Sequence, residues 1–337
     1  MGKEPNKIHA YMKEQLKSCF SAWLFMMKLT IPAMVLARLL LYFDLVPYLS
    51  TLFRPLMALV GLPGEAALVW VTGMLANLYV AVAVFVSLIP VMEPLTVAQA
   101  TALGAMGLLA HGLLIEGQIC RAAGLSFWRV TMFRIFAAMC FGVFINLSNL
   151  ATGWGAEPAR VLEILNMAGD PVPPWGLWLV SVAKQCFLIL ALMLVFMLIL
   201  DIFKAVGLTR LLMIVLGPPL RLAGVSEAAL MVTIIGCVAG FAYGCGLILA
   251  ESRSGRIPPR DIFGAMMLMS IFHSLFEDTL VMWTMGGSIW WLLGGRAIFG
   301  LGLSGLAARL IKRPMWHKIL VGNNPDLALR PEGVKAP

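Results

Sequence analysis

Histidine, carboxylate and arginine occur twice in this chain in the same order and at the same spacing. His111, Glu116 and Arg134 form one set, and His273, Asp278 and Arg296 form the other, each residue lying 162 positions from its counterpart. The second set carries an extra acid, Glu277, in HSLFEDT (273–279), where the first reads HGLLIEG (111–117). Both lie in strongly apolar sequence. A charge in such surroundings costs several kcal/mol unless it is paired or hydrated, so these groups must face an interior. Three uses stay open. The arginine–carboxylate pairs tie helices together, the groups line a solute path, or the imidazoles, which titrate near neutrality, couple protons. Arg134 stands close enough to the start of its helix to snorkel, whereas Arg296 is further in and the better candidate for a buried charge.

Other polar groups break the apolar runs. Asn77 and Tyr79 sit in GMLANLYVAVA (73–83), and Tyr243 sits in GCVAGFAYGCG (236–246). An amide or phenol inside an apolar helix requires a partner, from the core or from a polar ligand. Gly240, Gly244 and Gly246 permit that second helix to break and expose backbone groups, as discontinuous helices do around bound solutes. Arg38 and Asp201 lie at equivalent places 163 positions apart with opposite signs, open to pairing across the two halves. The tract AMMLMS (265–270) is core filling rather than a metal site, because consecutive methionines do not face one point. No metal ligands and no cofactor are expected.

The elements that must position these groups are transmembrane helices. The 337 residues are 61% hydrophobic and only 12% charged, against about 25% charged in an ordinary soluble domain. Eight apolar helical segments are expected, near 20–43, 66–90, 97–119, 127–150, 177–203, 228–250, 261–283 and 288–311. Two shorter amphipathic pieces, near 48–60 and 208–222, are candidates for interfacial or re-entrant helices. The fold class is therefore an all-α polytopic membrane protein of about eight transmembrane helices in two repeated four-helix halves. Residues 1–19 read as a cytosolic N-terminal segment and 20–150 as the first repeat. Residues 151–176 read as a linker, 177–312 as the second repeat and 313–337 as a cytosolic tail. The net charge of +8 gathers at the ends and sets topology by the positive-inside rule, with both termini cytoplasmic. An eight-span count leaves Lys204, Arg210 and Arg221 on the outer side, against that rule. Nucleic acid binding is not expected. The six cysteines form no CxxC pair, and no nucleotide-binding or hydrolase motif is present, so the chain does not read as an enzyme.

The repeat is visible beyond the polar groups. GLPGEAAL (61–68) echoes GVSEAAL (224–230), Gly73 matches Gly236 and Pro55 matches Pro218. In this setting GLPGEAALVWVTGMLANLYVAVAV and HSLFEDTLVMW resemble the nucleoside-recognition, or gate, family of bacterial membrane proteins, in a fused two-gate form similar to the spore maturation proteins SpmA and SpmB. The likeness covers about 30–150 and 190–310. It implies a gate-helix start at Pro63, Gly64 and Glu65, of which the second copy keeps Glu227 after Ser226. It also implies a histidine–acid signature at His273, Glu277 and Asp278, with a weaker copy at His111 and Glu116. The expected function is a multi-pass transporter or channel in the bacterial inner membrane for a small polar solute, nucleoside-like on the resemblance, with or without a coupled ion. Its site would be a polar cavity between the repeats. The alternative is a structural or accessory membrane protein that assembles with a partner in the envelope. Small-residue faces leave a homodimer open.

Overall fold

The computed structural model describes residues 4–122, 125–161, 173–205, 207–222, 225–253 and 259–311. Helices account for nearly all of the described chain. The first repeat contains α1 (Glu4–Tyr42), α2 (Val46–Ala58), α3 (Ala66–Leu75), α4 (Leu78–Leu88), α5 (Val97–Leu109), α6 (Leu113–Ala122) and α7 (Phe127–Thr152). The second contains α8 (Trp175–Ala205), α9 (Leu208–Leu222), α10 (Glu227–Ala239), α11 (Phe241–Arg253), α12 (Pro259–Ile271) and α13 (Glu277–Trp283). A π-turn, Trp291–Gly295, then runs into α14 (Arg296–Ile311). The two lists match element for element. Four segments are long and apolar enough to cross a bilayer: Lys13–Tyr42, Val97–Ala122, Phe127–Thr152 and Trp175–Ile199. Large apolar side chains such as Phe187, Trp290 and Ile298 point outward, the pattern of a lipid-facing surface. This is an all-α membrane protein. The stretch read as a separate N-terminal segment is helical from Glu4 and continuous with α1.

All eight apolar segments are helical, but two of them reverse direction. Between α3 and α4 the backbone at Asn77 is extended, and the Asn77 side chain accepts the Val80 N–H at 3.0 Å to start a new helix. A Cβ placed on Gly73 would lie 3.2 Å from the Ala81 Cβ. Residues eight apart on a straight helix are separated by about 12 Å, so α3 and α4 fold back as a hairpin. The second repeat does the same around Gly240 (φ +104°), where a Cβ on Gly236 would lie 3.0 Å from the Gly244 Cα. With 10 and 11 residues, α3 and α4 each reach only about half of the roughly 30 Å hydrocarbon layer. These are re-entrant hairpins. Hydropathy measures the length of an apolar run and not its direction, which is why both read as spans. The short pieces suspected of re-entry, α2 and α9, instead lead into the hairpins.

The reversals change the relation between the repeats. Gln99 donates to the Gly61 carbonyl at 2.9 Å and Asn146 to the Leu59 carbonyl at 3.4 Å, so the start of α5, the end of α7 and the mouth of the first hairpin share one face. In the first repeat α1, the broken helix α5–α6 and α7 cross; in the second their counterparts are α8, α12–α13 and α14. Three crossings per repeat, one for each of these, would set the second repeat upside down relative to the first, as in inverted-repeat transporters. Contacts between equivalent residues mark the pseudo-two-fold axis. The Trp23 indole donates to the Cys186 carbonyl at 2.9 Å, 163 positions away, and the His111 and His273 rings meet 4.9 Å apart. The repeats are also interlocked: α13 packs on α4 and α5, and its counterpart α6 packs on α11.

Candidate functional site

The histidine and acid of each set do not share one long helix. The helix breaks at the histidine. α5 ends at Leu109, Gly112 takes a left-handed conformation (φ +56°), and α6 begins at Leu113. In the second repeat α12 ends at Ile271 and Ser274 takes the same conformation (φ +45°) at the position equivalent to Gly112. Each break exposes main-chain groups that need partners deep in the protein. The amide donors turn to the hairpins: Gly112 N–H bonds the Gly73 carbonyl at 3.0 Å, and Leu275 N–H bonds the Cys237 carbonyl at 2.9 Å.

The carbonyl acceptors are taken by the two arginines. Arg134 donates to the Leu109 carbonyl at 2.9 Å and the His111 carbonyl at 3.0 Å. Arg296 donates to the Ile271 carbonyl at 3.2 Å and the His273 carbonyl at 2.8 Å, the same two positions in the second copy. A cation on a helix C-terminus also meets the negative end of its dipole. Both arginines are at least 99% buried, so Arg134 does not snorkel. It lies on the inner face of α7 because its partners are inside.

The symmetry ends at the carboxylates. Arg134 pairs with Glu116 through Nη1 and Oε2. Asp278 is one methylene shorter than Glu116. Its Oδ2 and the Nη1 of Arg296 are both buried and without a hydrogen-bond partner. Unsatisfied buried polar atoms are rare in native structures and call for an explanation.

The free ends of all these groups converge. The Nδ1 atoms of His111 and His273 lie 3.0 Å and 2.8 Å from the carbonyls of Gly107 and Met269. A carbonyl only accepts, so each Nδ1 carries a proton, and in the neutral form of the ring Nε2 is the bare nitrogen. Those Nε2 atoms are 3.0 Å apart. Glu116 Oε1 lies 3.4 Å from the first and 3.3 Å from the second, and Asp278 Oδ2 lies 3.4 Å and 3.8 Å from them. Four electron-rich atoms face one small volume near the middle of the Val97–Ala122 span.

The remaining candidates divide. Glu277 accepts the Tyr79 hydroxyl at 2.9 Å, a link from the first hairpin to α13 beside the cluster. Asn77 is spent on capping α4. Arg38 is buried elsewhere, bonded to the Pro173 carbonyl and 5.2 Å above the Trp175 ring. Asp201 lies near the end of α8, and the side chain of Tyr243 lies outside the described residues. The cluster is closed, and the neighbouring cleft, with about 390 Å³ of empty volume, is walled mainly by apolar side chains, with Tyr79 and Gln185 among them. Sequence reasoning missed the main-chain carbonyls that the arginines hold, because a carbonyl has no residue type to read.

The chain is 28% identical over 271 residues to an uncharacterized membrane protein, YvoD, of Bacillus subtilis (strain 168), a match covering 79% of this chain and 84% of that one. No family model and no solved structure matches. The chain is thus similar along most of its length to a bacterial membrane protein.

Proposed function

We propose that this protein is a transporter of the alternating-access kind, moving a small polar solute across the cytoplasmic membrane. The observation that carries the reading is the closed cluster of His111, His273, Glu116 and Asp278 on the pseudo-two-fold axis. There two broken helices and two re-entrant hairpins meet at mid-span. Inverted repeats with broken helices around a midplane site are the architecture of secondary transporters. The gate-family likeness of the hairpin and histidine–acid segments supports the same direction.

A structural or accessory role is the second reading, favoured by the closed packing and by the buried Arg134–Glu116 pair. A network built only to hold helices would satisfy its members, since half-satisfied buried polar groups are costly. The Arg134–Glu116 pair of the first repeat meets that standard, but the orphaned Asp278 Oδ2 and Arg296 Nη1 of the second do not. Uptake into proteoliposomes distinguishes the two. A panel of nucleosides, amino acids, organic acids and divalent cations is offered at inward gradients. Transport predicts accumulation of one class above empty liposomes, abolished by Asp278→Asn. No accumulation of any class by a folded protein supports the accessory role.

A further inference from the structure

We infer that the cluster is a binding site for a divalent first-row transition cation, held by His111 Nε2, His273 Nε2 and Asp278 Oδ2, with Glu116 Oε1 as the flanking oxygen beside the two imidazole nitrogens. That the cation is cargo rests on the transport reading above; that the site binds it does not.

Geometry is the first argument. Four ligands around a tetrahedral metal at bonds of about 2.0–2.1 Å stand about 3.3–3.4 Å from one another. His111 Nε2, His273 Nε2 and Asp278 Oδ2 stand 3.0, 3.4 and 3.8 Å from one another, and Glu116 Oε1 lies 3.4 and 3.3 Å from the two imidazole nitrogens. Donor state is the second. Both Nδ1 protons are committed to carbonyls, so in the neutral rings two bare imidazole nitrogens oppose each other at 3.0 Å with carboxylate oxygens nearby. Lone pairs at that distance repel unless a proton or a metal cation lies between them.

The third argument is the support around the ligands. Each histidine donates its other ring nitrogen to a carbonyl, the arrangement that fixes tautomer and orientation in metal sites. Arg134 holds Glu116 by Oε2 and leaves Oε1 free to coordinate. Asp278 Oδ2 is the buried oxygen without a hydrogen-bond partner, and it faces both Nε2 atoms. Two nitrogens and two oxygens select zinc, iron(II), manganese or cobalt over magnesium and calcium, which prefer all-oxygen shells.

The test uses the full chain purified in detergent without a polyhistidine tag and stripped with a chelator. Cobalt(II) and zinc are titrated, read by calorimetry and by the visible bands of four-coordinate cobalt. The expected result is one cation per chain, with magnesium and calcium silent. Asp278→Asn, which keeps the side-chain shape, should weaken binding roughly tenfold or more, as should His273→Gln. Glu227→Gln, in an exposed pair with Arg221 far along the chain from the cluster, should leave it unchanged. Absence of stoichiometric binding, or binding indifferent to both ligand variants, overturns the inference. Binding without uptake in proteoliposomes upholds the metal site and sinks the transport reading. Uptake of an organic solute without metal binding does the reverse.

Discussion

The two arginines hold equivalent carbonyls but differ in one partner, and that difference has a measurable consequence. Replacing Arg134 by Met removes donors from the Leu109 and His111 carbonyls and leaves Glu116 buried without its counter-charge. Breaking a buried ion pair by removing one member costs about 3–5 kcal/mol. Each orphaned carbonyl adds a further 1–3 kcal/mol or so where water cannot reach it. Arg296→Met strips the same two carbonyl positions, Ile271 and His273, but breaks no hydrogen-bonded ion pair. Arg134→Met should therefore be the more costly by about 3 kcal/mol, close to the ion-pair contribution. Equilibrium unfolding in mixed micelles, followed by tryptophan fluorescence, gives both values. The double variant Arg134→Met/Glu116→Gln should recover part of the loss, because the stranded charge is gone. Equal costs for the two arginines, or strictly additive effects in the cycle, would refute the assignment of a structural ion pair to the first repeat alone.

Other consequences follow from the same geometry. Ser274 occupies a left-handed conformation that its counterpart Gly112 adopts without strain, so Ser274→Gly should raise stability by about 1 kcal/mol in the same unfolding assay. Asp278→Glu restores the missing methylene and should let the second repeat form the pair that Arg134 makes with Glu116. A gain of about 1–3 kcal/mol is expected in the metal-free protein, read as a higher midpoint. On the inverted-repeat reading, with three crossings in each repeat, residues 157 and 222 lie on opposite faces of the membrane. In a cysteine-free background, a membrane-impermeant thiol reagent added to one side should label Glu157→Cys or Leu222→Cys but not both.

Much of the site was legible before any coordinates, for a specific reason. A duplication preserves spacing, so His111, Glu116 and Arg134 could be matched to His273, Asp278 and Arg296 without knowing the fold. An amide inside an apolar run serves equally well as a helix cap or as a ligand contact, and Asn77 is a cap. What could not be read was direction. Residues 66–90 have the hydropathy of a span, and only the small residues eight apart, Gly73 with Ala81 and Gly236 with Gly244, hinted that the chain folds back on itself. From that reversal follow the inverted repeats and the meeting of the two histidines, so the most consequential contact in the protein depended on the least visible feature of its sequence.

The central claim is that the histidine–carboxylate cluster binds what the protein moves. The most direct measurement is zinc or manganese uptake into proteoliposomes holding a metal-sensitive dye, with wild type and Asp278→Asn compared at equal protein. The account predicts saturable uptake by the wild type and loss of at least most of it in the variant, whose fold is otherwise preserved. Uptake that Asp278→Asn leaves intact, or no uptake by a wild type shown to bind the cation, would contradict it.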